Sequence, residues 1–182
     1  MSSFYSFRKN DYVDRVFQDI GYKGDYIATD GFFSQGILVS LGDVAIDKIG
    51  LTDPGLSYLV NFKPQIDVEA ANKVSSQLIS GVKSEGYTYT RFVHAKADTT
   101  YALRVIAYKS DGSRPNNSRT LPQDEMKFQS VASDKRADVI AVFRIIRKDA
   151  DGNATIVWKR LSMNDAPKLK FPKTSNPNDS PK

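Results

Sequence analysis

Cysteine is absent from this chain of 182 residues. Disulfides, thiolate zinc sites, iron–sulfur clusters and thiol catalysis are therefore excluded. Histidine occurs once, as His94, which excludes a histidine-rich metal centre. A serine–histidine–acid triad would have to use that one residue, and no Gly-x-Ser-x-Gly elbow accompanies it. Neither Gly-x-Gly-x-x-Gly nor a phosphate loop closing on Gly-Lys-Ser/Thr is present. No apolar run approaches the roughly 18 residues that a membrane-spanning helix needs. The opening residues lack a basic start followed by a long apolar stretch, so they do not read as a secretory leader. The expected location is the cytoplasm, or the cell envelope if a leader has been removed.

What remains describes an ordinary soluble globular protein: 40% hydrophobic, 26% charged and 11% aromatic residues. A mass of 20.3 kDa is enough to bury about 70% of the surface of the unfolded chain. Charge is unevenly placed. Residues 1–91 carry a net charge of −2 and residues 92–182 a net charge of +7. A basic half of this kind can meet a polyanion.

Hydrophobic periodicity gives a coarse map. Val13, Val16, Phe17 and Ile20 repeat at helical spacing behind Asn10, which predicts a helix over 10–20 ended by Gly21. Residues 36–41 read as a buried strand and 58–62 as a short one. Asp67 as N-cap and the stripe Val68, Ala71, Val74, Leu78 predict a helix from 67 to 80 or beyond. The period then switches to 2. Residues 87–96 and 100–109 read as a hairpin turning near Asp98. Residues 110–125 form a long polar loop, and 126–131 a further strand. The clearest hairpin pairs 137–148 with 154–161. Its first arm is apolar on both faces, which demands cover from two sides. From Asn164 onward Pro, Lys, Asn and Ser predict a disordered basic tail, broken by a short extended piece at 169–171.

The expected fold is therefore α+β. A curved antiparallel sheet of about five to seven strands packs against one or two helices. The domain spans 1–163 and the tail 164–182.

Several motifs invite a functional reading. Asp149, Asp151 and Asn153 alternate like calcium ligands, but glycine stands at position 4 and Arg160 at position 12, so the segment reads as a hairpin turn. Asp25, Asp30, Asp43 and Asp47 flank the first strand region and could serve a carboxylate-based enzyme if they converged. Arg144, Arg147, Lys148, Lys159 and Arg160 cluster on the last hairpin, with Tyr101, Tyr108 and Trp158 on strands nearby. That pattern suits phosphate neutralisation and base stacking. Tyr22, Tyr26, Phe32 and Phe33 lie between glycines and could line a ligand pocket. The leading expectation is a non-catalytic binding or assembly module that recognises a protein or a small apolar ligand through its sheet face and the 22–36 and 110–125 loops. A nucleic-acid or polyanion binder is the alternative. No cofactor or metal is expected.

Overall fold

The last hairpin organises the molecule, because its first arm has apolar side chains to bury on both faces. The computed structural model describes residues 2–110 and 122–171. Strands β1 (Ser2–Ser6), β2 (Asp11–Tyr12), β3 (Ile20–Lys23), β4 (Tyr26–Ala28) and β5 (Ser34–Gly42) come first, then helices α1 (Ser57–Asn61) and α2 (Val68–Ser80). Strands β6 (Val82–Ser84), β7 (Tyr87–Tyr89), β8 (Phe92–His94), β9 (Thr99–Ala107) and β10 (Lys109–Ser110) follow. Helix α3 (Pro122–Ala132) precedes β11 (Ala137–Lys148), β12 (Ala154–Asp165) and β13 (Lys168–Leu169). The class is α+β and the main sheets are antiparallel, as the patterning predicts.

The strands divide between two principal sheets. A four-stranded sheet has the order β12-β11-β9-β5, and a five-stranded sheet the order β2-β1-β3-β4-β8. Alternation fixes which side chain goes where. Tyr101, Leu103 and Val105 of β9 and Val139, Ala141 and Phe143 of β11 meet Phe7, Ile20 and Ile27 of the five-stranded sheet and its borders. Ala102, Ile140 and Val142 point the other way, into Leu59 of α1, Leu78 of α2 and Tyr89 of β7. The four-stranded sheet is thus the middle layer, which is why Ile140 to Phe143 are all buried.

Two buried ionic clusters fasten these layers. Arg8 Nε meets Asp19 Oδ1 at 2.6 Å, and Arg8 Nη1 meets Asp134 Oδ2 at 3.1 Å. Asp134 also takes Arg136 Nη1 at 3.1 Å and Lys9 Nζ at 2.7 Å. Burial works to raise the Asp134 pKa, but hydrogen bonds from Lys9 and Arg8 outweigh it and hold the group below its ordinary value. On the helical side Arg104 forms a two-pronged pair with Asp138.

Several local expectations are overturned. Residues 10–20 are not a helix. They form β2, a single 3-10 turn at Arg15–Phe17 and the start of β3. Strand β1 needs a partner on each side and takes one from each end of this segment, so sheet pairing overrides the helical spacing. Gly21 lies inside β3, where a Cβ would stand 2.6 Å from Gln18 Oε1. Residues 58–61 belong to helix α1 and not to a strand, with Phe62 as the C-cap; the carbonyls of Leu59 and Phe62 are held by Arg104 Nη1. Residues 126–131 are helical, with Phe128 against Phe32 and Phe33 and with Val131 buried. The hairpin expected at Asp98 is a crossing between sheets: β8 pairs with β4, whereas β9 pairs with β5 and β11. Asp98 takes a positive φ of 53° there, and its N–H donates to the Ile145 carbonyl.

Residues 111–121 of the long polar loop lie outside the described residues, as do 172–182 of the tail. The described chain continues past 163 to Phe171, with Ala166 and Leu169 buried and β13 paired in parallel with β10. Among the described residues no helix is long and apolar enough to cross a membrane.

Candidate binding cleft

Sheet register places a set of uncharged side chains on one face. Tyr12 of β2 stands opposite Tyr5 of β1, and Tyr5 opposite Ile20 of β3. One row along, Ser3 stands opposite Tyr22, and Tyr22 opposite Ile27. All six face the four-stranded sheet near its edge strand β12. Ala154, Ile156 and Trp158 of that strand point back at them, being two residues apart. Together with Asn153 and Thr155 they line a cleft of about 460 Å³, and no charged residue is among the lining.

Aromatic packing forms the inner wall. Phe7 stacks on Phe143 at 5.8 Å and meets Trp158 edge-on at 5.0 Å. Tyr5 meets Trp158 at 6.2 Å and Tyr12 at 5.4 Å, both edge-on. Its hydroxyl donates to Asn10 Oδ1 at 2.9 Å. Tyr12 is 74% exposed and forms the outer lip. Tyr22 carries a buried hydroxyl that has no hydrogen-bond partner among the described residues. Such a group costs about 1–3 kcal/mol until something reaches it.

The aromatic stretch singled out from sequence does not assemble in one place. Tyr22 lines the cleft. Tyr26 pairs with Lys23 in register and lies on the opposite face of the sheet, tilted against His94 with ring centres 4.3 Å apart. Phe32 and Phe33 pack with Phe128, and Phe33 stacks on Phe171 at 5.6 Å. Those two rings anchor α3 and the segment after β12. Tyr5, Tyr12 and Ile156 were not singled out. The two-residue spacing of Tyr5 and Phe7 is a local signal for Tyr5 alone.

The five basic residues are largely committed elsewhere. Arg144 pairs with Asp43 at 2.7 Å and Asp98 at 3.7 Å, Arg147 with Asp149 at 2.8 Å, and Lys148 with Asp25 at 2.7 Å. The Lys148 hydrogen bond holds the Asp25 carboxyl below its ordinary pKa, and Asp25 in turn raises Lys148. Lys159 Nζ donates to the Asp47 carbonyl, and Arg160 Nη1 contacts Met163 Sδ at 3.4 Å. Only these two lack a carboxylate partner among the described residues.

The flanking aspartates have separate partners: Asp25 has Lys148, Asp30 has Arg15 and Gln18, and Asp43 has Arg144. Among the described residues no group of three His, Asp or Glu is placed to hold a metal. Asp149 to Asn153 is a tight turn, with Gly152 at a φ of 79° and its N–H donating to the Asp149 carbonyl. Compared with known proteins, the chain matches no family, no curated protein and no solved structure.

Proposed function

We propose that the chain is a non-catalytic binding module whose partner presents an uncharged, apolar group to the cleft between β1–β4 and β12. The observation that carries this reading is the lining itself. Three tyrosines, a tryptophan and three isoleucines converge from two sheets, with Ser3, Asn153 and Thr155 as neutral polar contacts. A volume of about 460 Å³ lies within the range of roughly 300–1,000 Å³ typical of ligand pockets. The polyanion reading has less support, because three of the five clustered cations are already paired with aspartates.

Trp158 is the only tryptophan and lines the cleft, so its fluorescence reports on occupancy. The uncharged dye N-phenyl-1-naphthylamine is expected to bind saturably in the micromolar range, with energy transfer from Trp158. Ile156→Arg places a charge in the cleft and abolishes binding. Tyr12→Ala removes an exposed lip and weakens it about fivefold, or about 1 kcal/mol. Absence of saturable transfer, or binding indifferent to both substitutions in chains with native circular dichroism, would overturn the proposal.

A further inference from the structure

We infer that the apolar group arrives on an extended peptide strand that adds to the free edge of β12; this rests on the cleft being a binding site. Adjacent side chains of a strand point to opposite faces. A cleft confined to one face of β12 would touch every second residue. This one is lined by Ala154, Ile156 and Trp158 from one face, and also by Thr155 between them and by Asn153 just before the strand. At Thr155 it therefore reaches past that face to the edge of the strand, where backbone N–H and C=O groups are presented. Among the described residues β12 pairs only with β11, over a strand of 12 residues. Tyr12 and Tyr5 of the other sheet line the same cleft across from these residues.

The edge is open over one part only. Natural edges are blunted by lysines, other charges and bulges. Lys159, Arg160 and the irregular residue Leu161, skipped where Ile140 and Ala141 pair with Ser162 and Arg160, guard the later half of β12. The segment Ala154–Trp158 carries no charge and no proline. An incoming strand paired with it would turn alternate side chains inward, between Tyr5, Tyr12 and Trp158. Addition of this kind gives affinity through main-chain bonds and specificity through pockets for alternate side chains.

Charge narrows the occupant. Arg160 lies on the same face as Ile156 and Trp158, is exposed, and has no carboxylate partner among the described residues; Lys159 next to it has none either. The incoming strand carries apolar residues at alternate positions and an acidic residue facing Arg160.

The probe is a short capped peptide that alternates threonine with phenylalanine or valine and ends in two glutamates. Its control carries N-methyl groups on the amides that would face β12. The full chain is loaded with N-phenyl-1-naphthylamine and the peptides are added. The inference expects the plain peptide to displace the dye and to slow amide exchange across Ala154–Trp158 about tenfold. The methylated peptide is expected to bind at least tenfold more weakly. Replacing Arg160 and Lys159 by glutamate lowers affinity for the glutamate-ended peptide and raises it for a lysine-ended one. Dye binding with equal or no displacement by the two peptides, or displacement without amide protection, overturns strand addition and leaves a small-molecule cleft. Failure of the dye to bind, with no amide protection by peptide, overturns the cleft reading as well.

Discussion

Replacing Asp138 with leucine tests the idea that the helical layer is pinned to the middle sheet by one buried charge pair. Arg104 Nε donates to Asp138 Oδ1 at 2.9 Å and Nη2 to Oδ2 at 2.7 Å. The third nitrogen, Nη1, donates to the carbonyls of Leu59 at 2.5 Å and Phe62 at 2.9 Å, at the end of α1. The two side chains are only 10% and 8% exposed. Asp138→Leu leaves the guanidinium buried without its counter-ion, which costs about 3–5 kcal/mol. Against a total stability of about 5–15 kcal/mol this is a large share. For a chain of this size it lowers Tm by roughly 6–20 °C. Arg104→Met costs a similar amount, because it strands the carboxylate and two carbonyls. The double variant loses less than the sum by about 3 kcal/mol or more. It still stays below the parent by about 1–3 kcal/mol, since Leu59 and Phe62 keep unpaired carbonyls. Denaturant unfolding of all four proteins, followed by Trp158 fluorescence and circular dichroism, reads out the cycle. A cost below 1 kcal/mol for Asp138→Leu would refute the burial argument. A double variant as stable as the parent would refute the claim that Arg104 holds the end of α1.

Two further perturbations probe the packing between layers. A Cβ on Gly36 would stand 2.2 Å from the Thr29 Cβ, so Gly36→Ala is expected to destabilise by about 1–3 kcal/mol, and Thr29→Gly in the same chain to restore most of it. A Gly36→Ala variant within about 0.5 kcal/mol of the parent in urea would contradict that contact. At high pH, burial pushes the Tyr108 phenol up to about 12 and raises Tyr58 and Tyr89 in the same direction. A phenol whose folded pKa exceeds its unfolded value of about 10 gives up its proton first in the unfolded chain. Its stabilisation is complete below pH 10 and disappears as pH climbs from 10 toward 12. Burial and the neighbouring Arg8 also push Arg136 down, to about 10, so stability against pH does not isolate the phenols. Ultraviolet titration of the tyrosines is therefore the deciding measurement. Fewer than all 9 are expected to ionise near pH 10 while circular dichroism stays native. A single transition of all of them in folded protein would refute the assignment.

Elements that carry their own determinants were legible in the sequence. Helix α2 has Asp67, whose side chain accepts from the Ala70 N–H, and an apolar stripe that ends in buried Leu78. The β11–β12 hairpin has alternation on one arm, a doubly apolar run on the other and an Asp-Gly turn between them. Elements settled at a distance were not legible. Residues 58–62 are short enough for either state, and the deciding partner, Arg104, lies 42 residues beyond Phe62. The spacing of Val13, Val16, Phe17 and Ile20 is helical, yet β1 takes both ends of that segment as strands. Local periodicity bears only on the face a segment would present, and the sheet next to it decides whether that face exists.

The same reasoning explains why only Tyr22 of the expected aromatic site reaches the cleft. Tyr22 and Tyr26 sit on the two arms of a hairpin whose register sets Tyr22 opposite Ile27 and Lys23 opposite Tyr26. A slip of one residue in β4 would turn Tyr26 inward and Ile27 outward. The apolar character of Tyr22, Tyr26 and Ile27 does not select between those registers. The turn does: Gly24 adopts a φ of 61°, the Ala95 N–H donates to the Asp25 carbonyl at 2.7 Å, and the Asp25 side chain pairs with Lys148 at the end of β11. The other contributors, among them Ser3, Tyr5, Tyr12 and Ile20 at one end of the chain and Asn153, Ala154, Thr155, Ile156 and Trp158 near the other, meet because β12 is the edge strand next to that face. The uncharged character of the cleft is therefore a property of strand register and sheet order. Substitutions at the Gly24–Asp25 turn are expected to alter what the cleft accepts without touching its lining.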